Sequence, residues 1–163
     1  SRRLQFDPAR GMNRLVTLRE SRASAEQRKG RAGRQAPGIC YRLYSRHTLN
    51  AMIPHTPPEI RETDLSPLLL ELAAWGTTNP LSLQWLDAPP EASLSAARGL
   101  LVELDALDKN GRITPRGHEM MRFPLHPRLG LLLLRSRELH CVQLGCDLAA
   151  LLSERDFFRP VRS

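Results

Sequence analysis

Long apolar runs are missing from this 163-residue chain: the longest, Leu129 to Leu134, stops after six residues between Arg128 and Arg135, where a membrane-spanning helix needs about 20. A transmembrane helix is excluded, and no membrane partner is expected. Cysteine is scarce too. Cys40, Cys141 and Cys146 form an odd set without CxxC spacing, which speaks against a disulfide framework and fits a reduced, cytoplasmic protein. Cys141 and Cys146 lie near His140, but a fourth ligand at zinc spacing is absent, and two small thiols packed in a core explain them; no metal site is expected. An initiator Met and an apolar signal region are both lacking at Ser1 to Asp7, so the chain reads as a piece of a longer protein.

Lysine is nearly absent: 24 Lys+Arg stand against 17 Asp+Glu, and only Lys29 and Lys109 are lysines. The arginine bias can reflect genome base composition, whereas the position of the charge is informative. Residues 1–46 hold 12 basic side chains against Asp7, Glu20 and Glu26, a net of +9; residues 47–163 hold 12 against 14, a net of −2. One concentrated positive block suits a polyanion, either nucleic acid or a nucleotide phosphate. A solvated basic face is the alternative that charge alone leaves open. With 41% hydrophobic residues the chain has enough for a core.

Two strand-like pieces, Leu4 to Phe6 and Leu15 to Leu18, flank a turn at Pro8-Ala9-Arg10-Gly11. A helix is predicted from about Ser21, with Ser24 as N-cap and Gln27 at the capping-box position. Ile39 to Tyr44 alternates and reads as a strand. Pro54, Pro57 and Pro58 mark a linker over 54–63. Leu65, Leu68, Leu69, Leu72 and Ala73, extended as far as Gly76, then follow helical spacing, with Asp64 or Ser66 as cap and Pro67 in the first turn. A second helix is expected over 91–107, carrying Leu94, Ala97, Leu100, Leu101, Leu104 and Leu107 on one stripe. Asn110-Gly111 signals a hairpin, Thr114-Pro115 starts a third helix to about Arg122, and two more are predicted over 128–139 and 142–153. Helix, helix, hairpin, helix is the outline of a winged helix. The fold class is therefore mainly α with small β elements (α+β).

The chemistry concentrates in Gln27-Arg28-Lys29-Gly30-Arg31-Ala32-Gly33-Arg34. On a continuous helix Gln27, Arg31 and Arg34 would fall near about 0°, 40° and 340°, on one narrow face. Two glycines in one turn each cost a helix about 1 kcal/mol relative to Ala, which close approach of another surface would justify. A phosphoryl-transfer transition state is such a surface: guanidiniums stabilise its oxygens while a Gln orients the attacking water. An arginine-rich RNA-binding helix without chemistry fits the spacing equally.

This run, preceded by SRASAE and followed by PGICYRLYS, resembles motif VI and its flanks in the DEAH-box helicases, whose QRxGRAGR pattern it meets at every position with Lys29 at the variable one. Later text agrees in order: Pro58-Glu59-Ile60, Trp85-Leu86-Asp87-Ala88-Pro89-Pro90, Leu107 to Thr114, and Phe123-Pro124-Leu125-His126-Pro127. The resemblance covers nearly the whole chain. It implies the end of a second RecA-like domain over 1–47, a linker and winged helix over 48–124, and the first helices of a ratchet domain over 125–163. It makes Arg31 and Arg34 arginine fingers, Gln27 the water-positioning residue and Arg28 an organiser of the interdomain cleft. ATP with Mg²⁺ is the implied cofactor, RNA and the preceding RecA-like domains the implied partners. Neither a GxxxxGK[ST] loop nor an acidic Mg²⁺-binding box occurs in the chain, so the metal ligands are expected upstream.

Other candidates take plainer roles. Trp75 and Trp85 are large enough to stack on bases, but each lies among leucines and is expected in the core. His118 and His126 have no acid or nucleophile at catalytic spacing and suit surface or turn positions. Arg128, Arg135 and Arg137 can reach RNA phosphates, as the resemblance implies for a ratchet, or simply line a solvated helix face. A non-enzymatic winged-helix regulator with a basic N-terminal arm is the competing reading of the whole chain.

Overall fold

The computed structural model describes residues 2–7, 12–17 and 19–153. Strands β1 (Arg2–Asp7) and β2 (Met12–Thr17) pair antiparallel, with Leu4 opposite Leu15 and Phe6 opposite Asn13. The turn expected at 8–11, and Leu18, lie outside the described residues. Contacts divide the chain into two compact units, Ser1–Thr63 and Asp64–Ser163.

In the first unit, helix α1 (Arg22–Ala32) is capped by Ser21 rather than by Ser24. The buried Ser21 hydroxyl accepts from the Ser24 backbone N–H at 3.2 Å and from the Thr56 hydroxyl at 3.1 Å. The first two N–H groups of the helix donate to the carbonyls of Ile53 (2.8 Å) and Pro54 (3.0 Å). The orphan donors that every helix start leaves are thus met by the proline linker. A short helix that the sequence reading did not foresee, α2 (Arg46–Asn50), follows with Ser45 as N-cap. The strand expected over Ile39 to Tyr44 does not form: the backbone there has no ladder partner among the described residues, and Leu43 is 98% exposed. Alternation describes a strand only where another strand supplies hydrogen bonds.

The second unit follows the expected order: α3 (Ser66–Ala74), α4 (Glu91–Glu103), a hairpin, then α5 (Pro115–Met121). The N-cap of α3 is Leu65 rather than Asp64 or Ser66, and it brings no side-chain cap; Asp64, one residue earlier, accepts from the Ser66 N–H at 2.8 Å. Gly76 is not part of the apolar stripe. With φ of 88° it sits just past the helix, where the Gly76 and Thr77 N–H groups donate to the Ala73 and Leu72 carbonyls. The same pair of backward bonds ends α4 at Asp105 (φ 56°) and Ala106, so that helix stops at Glu103 rather than 107. Leu94, Ala97, Leu101 and Leu107 are buried as predicted, and Leu100 and Leu104 are half-buried. α3 packs on both α4 and α5 around Leu65, Leu101 and Met120.

The hairpin at Asn110-Gly111 is a single antiparallel bridge, Leu107 to Ile113. The Asp108 carboxylate organises it, accepting from the Asn110 and Arg112 N–H groups at 2.8 Å each. Thr114 then caps α5 by accepting from the Gly117 N–H at 3.0 Å. Two further helices complete the unit, α6 (Pro127–Glu138) and α7 (Val142–Ser153). They pack closely at Gly145, where a Cβ would overlap the Ser136 hydroxyl. The expectation of a mainly helical fold with small β elements holds.

Trp75 does not join the core. It is the C-cap of α3 and 81% exposed, because the buried stripe has already ended at Ala73. Trp85 is half-buried, its indole N–H donating to the Pro80 carbonyl at 2.8 Å.

Candidate functional site

Helix α1 is anchored at one end. Ser21 and Ala25 are buried, whereas every residue from Glu26 to Tyr41 is exposed. Gln27 and Arg31, four apart on the helix, share a face as predicted. Arg34 does not: the helix ends at Ala32 with Gly33 as C-cap, and Arg34 lies two residues past the end. The single-face geometry expected for three residues therefore holds for two, since a helical angle means nothing beyond the last helical residue. Arg31 and Arg34 both line a depression of about 410 Å³, together with Ala32, Gln35, Ala36 and Pro37; Gln27 is not among its lining residues.

Charge pairing separates the arginines of this run. Arg28 reaches Glu20 at 3.2 Å. Glu26, between Lys29 (3.9 Å) and Arg42 (2.6 Å), has its carboxyl held below the ordinary range, chiefly by the Arg42 hydrogen bond. That bond also ties the extended 39–44 segment back to α1. Neither Arg31 nor Arg34 has an ion-pair or hydrogen-bond partner among the described residues. Two exposed guanidiniums without internal partners are free to take an oxyanion bidentately. Nothing lies within 4 Å of a Cβ at Gly30 or Gly33, so the run can be approached closely from outside.

Of the three candidates for RNA phosphates, Arg135 pairs with Glu138 at 2.7 Å on the exposed face of α6, Arg137 with Glu119 at 2.9 Å, and Arg128 has no side-chain partner among the described residues. An exposed pair of that kind is worth at most about 1 kcal/mol, so Arg135 is not committed by it.

Asp64, Ser66 and His126 form a cluster that sequence spacing did not reveal, since 62 residues separate its carboxylate from its imidazole. The Asp64 Oδ2 lies 2.7 Å and the Ser66 Oγ 3.2 Å from the same nitrogen, His126 Nε2. A Ser-His-Asp relay needs the hydroxyl and the carboxylate on opposite ring nitrogens; here Nδ1 instead accepts from the Arg128 N–H at 3.2 Å, capping α6. The cluster is a structural tie between the starts of α3 and α6. Burial pushes the Asp64 carboxyl up, but hydrogen bonds from His126 and from the Ser66 backbone and side chain outweigh it and hold the group below its ordinary value. A folded-state pKa below the unfolded one stabilises above the unfolded value, about 3.9, and that stability is lost as pH falls through the folded value. Urea titrations between pH 2.5 and 6 are therefore expected to show an acid-side loss of stability that Asp64→Asn lacks; parallel curves for the two proteins would contradict this.

Among the described residues no group of three His, Cys, Asp or Glu side chains could hold a metal ion, and no helix is long and apolar enough to cross a membrane.

The helicase associated domain (HA2), winged-helix, family matches residues 97–125, from the middle of α4 to just before α6. The Schizosaccharomyces pombe pre-mRNA-splicing factor ATP-dependent RNA helicase prp22 is 42% identical over 149 residues, which is 91% of this chain. The Escherichia coli ATP-dependent RNA helicase HrpB is 39% identical over 92% of it. The chain belongs to the DEAH-box helicase family. Two crystal structures of Escherichia coli HrpB, described as a DExH-box NTPase and as a DEAH/RHA helicase, superpose on 96% of this chain with TM-scores of 0.82 and 0.86 at 38% identity. The chain spans 13% of the length of prp22 and 18% of HrpB.

Proposed function

We propose that the chain works within an ATP-dependent RNA helicase, supplying arginine fingers to the nucleotide. Arg31 and Arg34 would contact the γ-phosphate and Gln27, one turn back from Arg31, would orient the attacking water. The observation that carries this reading is that Arg31 and Arg34, both without partners among the described residues, line one depression, with Gln27 one helical turn before Arg31 on α1. Residues 1–47 would close a second RecA-like domain, 48–124 would relay cleft opening through the winged helix, and 125–163 would begin a ratchet gripping RNA, with Arg128 and Arg135 facing phosphates. Preceding RecA-like domains would hold Mg²⁺ and the β-phosphate, and the protein would act in the cytoplasm.

The chain by itself, lacking a phosphate loop, is expected to show no ATPase activity while retaining RNA binding through its basic block. On single-stranded RNA, log affinity should fall linearly with log salt, and replacing Arg28, Arg31 and Arg34 by Gln should flatten the slope by about 2, at about 0.7 per lost contact. Filter binding across a salt series measures both. Salt-independent binding to one duplex sequence would instead mark a winged-helix regulator.

A further inference from the structure

Past the end of α1, residues 33–37 form a loop whose two ends meet. Gly38 crosses directly over the last residue of the helix: a Cβ there would overlap the Ala32 carbonyl oxygen and lie 2.5 Å from its carbon and 3.2 Å from its Cβ. The obstacle is helix backbone, which cannot swing aside as a side chain can. No hydrogen bond holds 33–38 among the described residues, so this crossing and the fixed φ of Pro37 set the loop's path. The same loop carries Arg34 and, with Arg31 and Ala32, lines the depression.

We propose that Gly38 is a positioning residue for Arg34: its bare Cα lets the chain close on the helix end, and that closure places the guanidinium beside Arg31. The proposal rests on the finger reading above. In Gly38→Ala the loop must retreat from Ala32, and a displacement on the order of 1 Å at a catalytic group can lower turnover by about 10²-fold. Affinity for nucleotide, held chiefly elsewhere, should change little.

The test is a double-mutant cycle on RNA-stimulated ATP hydrolysis by the full-length protein. Gly38→Ala should lower kcat about 10²-fold with KM for ATP within about threefold, and in an Arg34→Ala background should lower it by less than about threefold, because the group it places is already gone. An equal drop in both backgrounds would mean a general folding defect and overturn the proposal, as would unchanged kcat in Gly38→Ala beside impaired Arg34→Ala. Normal turnover in both Arg31→Ala and Arg34→Ala would instead remove the finger reading, and this proposal with it. If Gly38→Ala loses its cooperative thermal transition, Pro37→Gly takes its place, loosening the loop without adding an atom. It should lower kcat about 3- to 10-fold with Arg34 present and not without it; no such difference overturns the proposal.

Discussion

Replacing Arg34 or Arg31 by alanine in the full-length protein is expected to lower kcat for ATP by about 10³-fold, roughly 4 kcal/mol of transition-state stabilisation. KM for ATP should move far less, because the charge that fingers would meet is greatest on the transferring phosphoryl group. Both side chains are exposed and without partners, so neither substitution should disturb folding. Lysine should restore little activity: a point charge on a flexible stem lacks the planar fork that binds two oxygens at once. Steady-state ATPase assays at saturating RNA measure the effect, and near-normal turnover in either alanine variant would remove that arginine from the finger assignment. Arg28→Ala, which breaks only the pair with Glu20 within this chain, is the informative comparison.

Leu101→Ala should cost the second unit about 2 to 5 kcal/mol, the range for a large buried aliphatic side chain replaced by alanine. Leu101 is 0% exposed, faces the junction of α3, α4 and α5, and its carbonyl accepts from the N–H groups of Ala106 (2.8 Å) and Leu107 (3.1 Å), which turn the chain into the hairpin. A cavity there weakens three helices together. For a unit of about 100 residues the thermal midpoint should drop by about 10 °C or more. Trp75→Ala, a larger truncation at an exposed position, should change stability by less than about 0.5 kcal/mol. The pair of melting curves discriminates: a greater loss at Trp75 than at Leu101 would place the core elsewhere.

Much of this protein could be read from its residues alone, for a physical reason. QRKGRAGR concentrates charge, an amide and two glycines within eight positions, and the chemistry proposed for it rests on residue type and short spacing. The winged-helix outline is equally local. Leucine spacing sets α3 and α4, Thr114-Pro115 starts α5, and Asn110-Gly111 turns the hairpin, each through interactions spanning a few residues. What failed depended on partners distant in sequence or on where an element stops. Ser21 rather than Ser24 caps α1 because Ile53, Pro54 and Thr56 arrive at that end. Ile39 to Tyr44 alternates like a strand, yet among the described residues no ladder partner reaches it and Arg42 bonds Glu26 instead. The Asp64–His126 tie joins residues 62 apart, and no periodicity encodes such a meeting. Trp75 has the composition of a core residue and the position of an exposed cap. Arg34 is the instructive case: its residue type marked it as a phosphate ligand, but helix geometry wrongly set it on the face of Gln27 and Arg31. The sequence by itself determined which groups are available for chemistry and where most of the helices form; only the tertiary structure decided where α1 ends and how the loop after it puts Arg34 on the same depression as Arg31, because side-chain identity is local while the path of a loop depends on the surface it closes against.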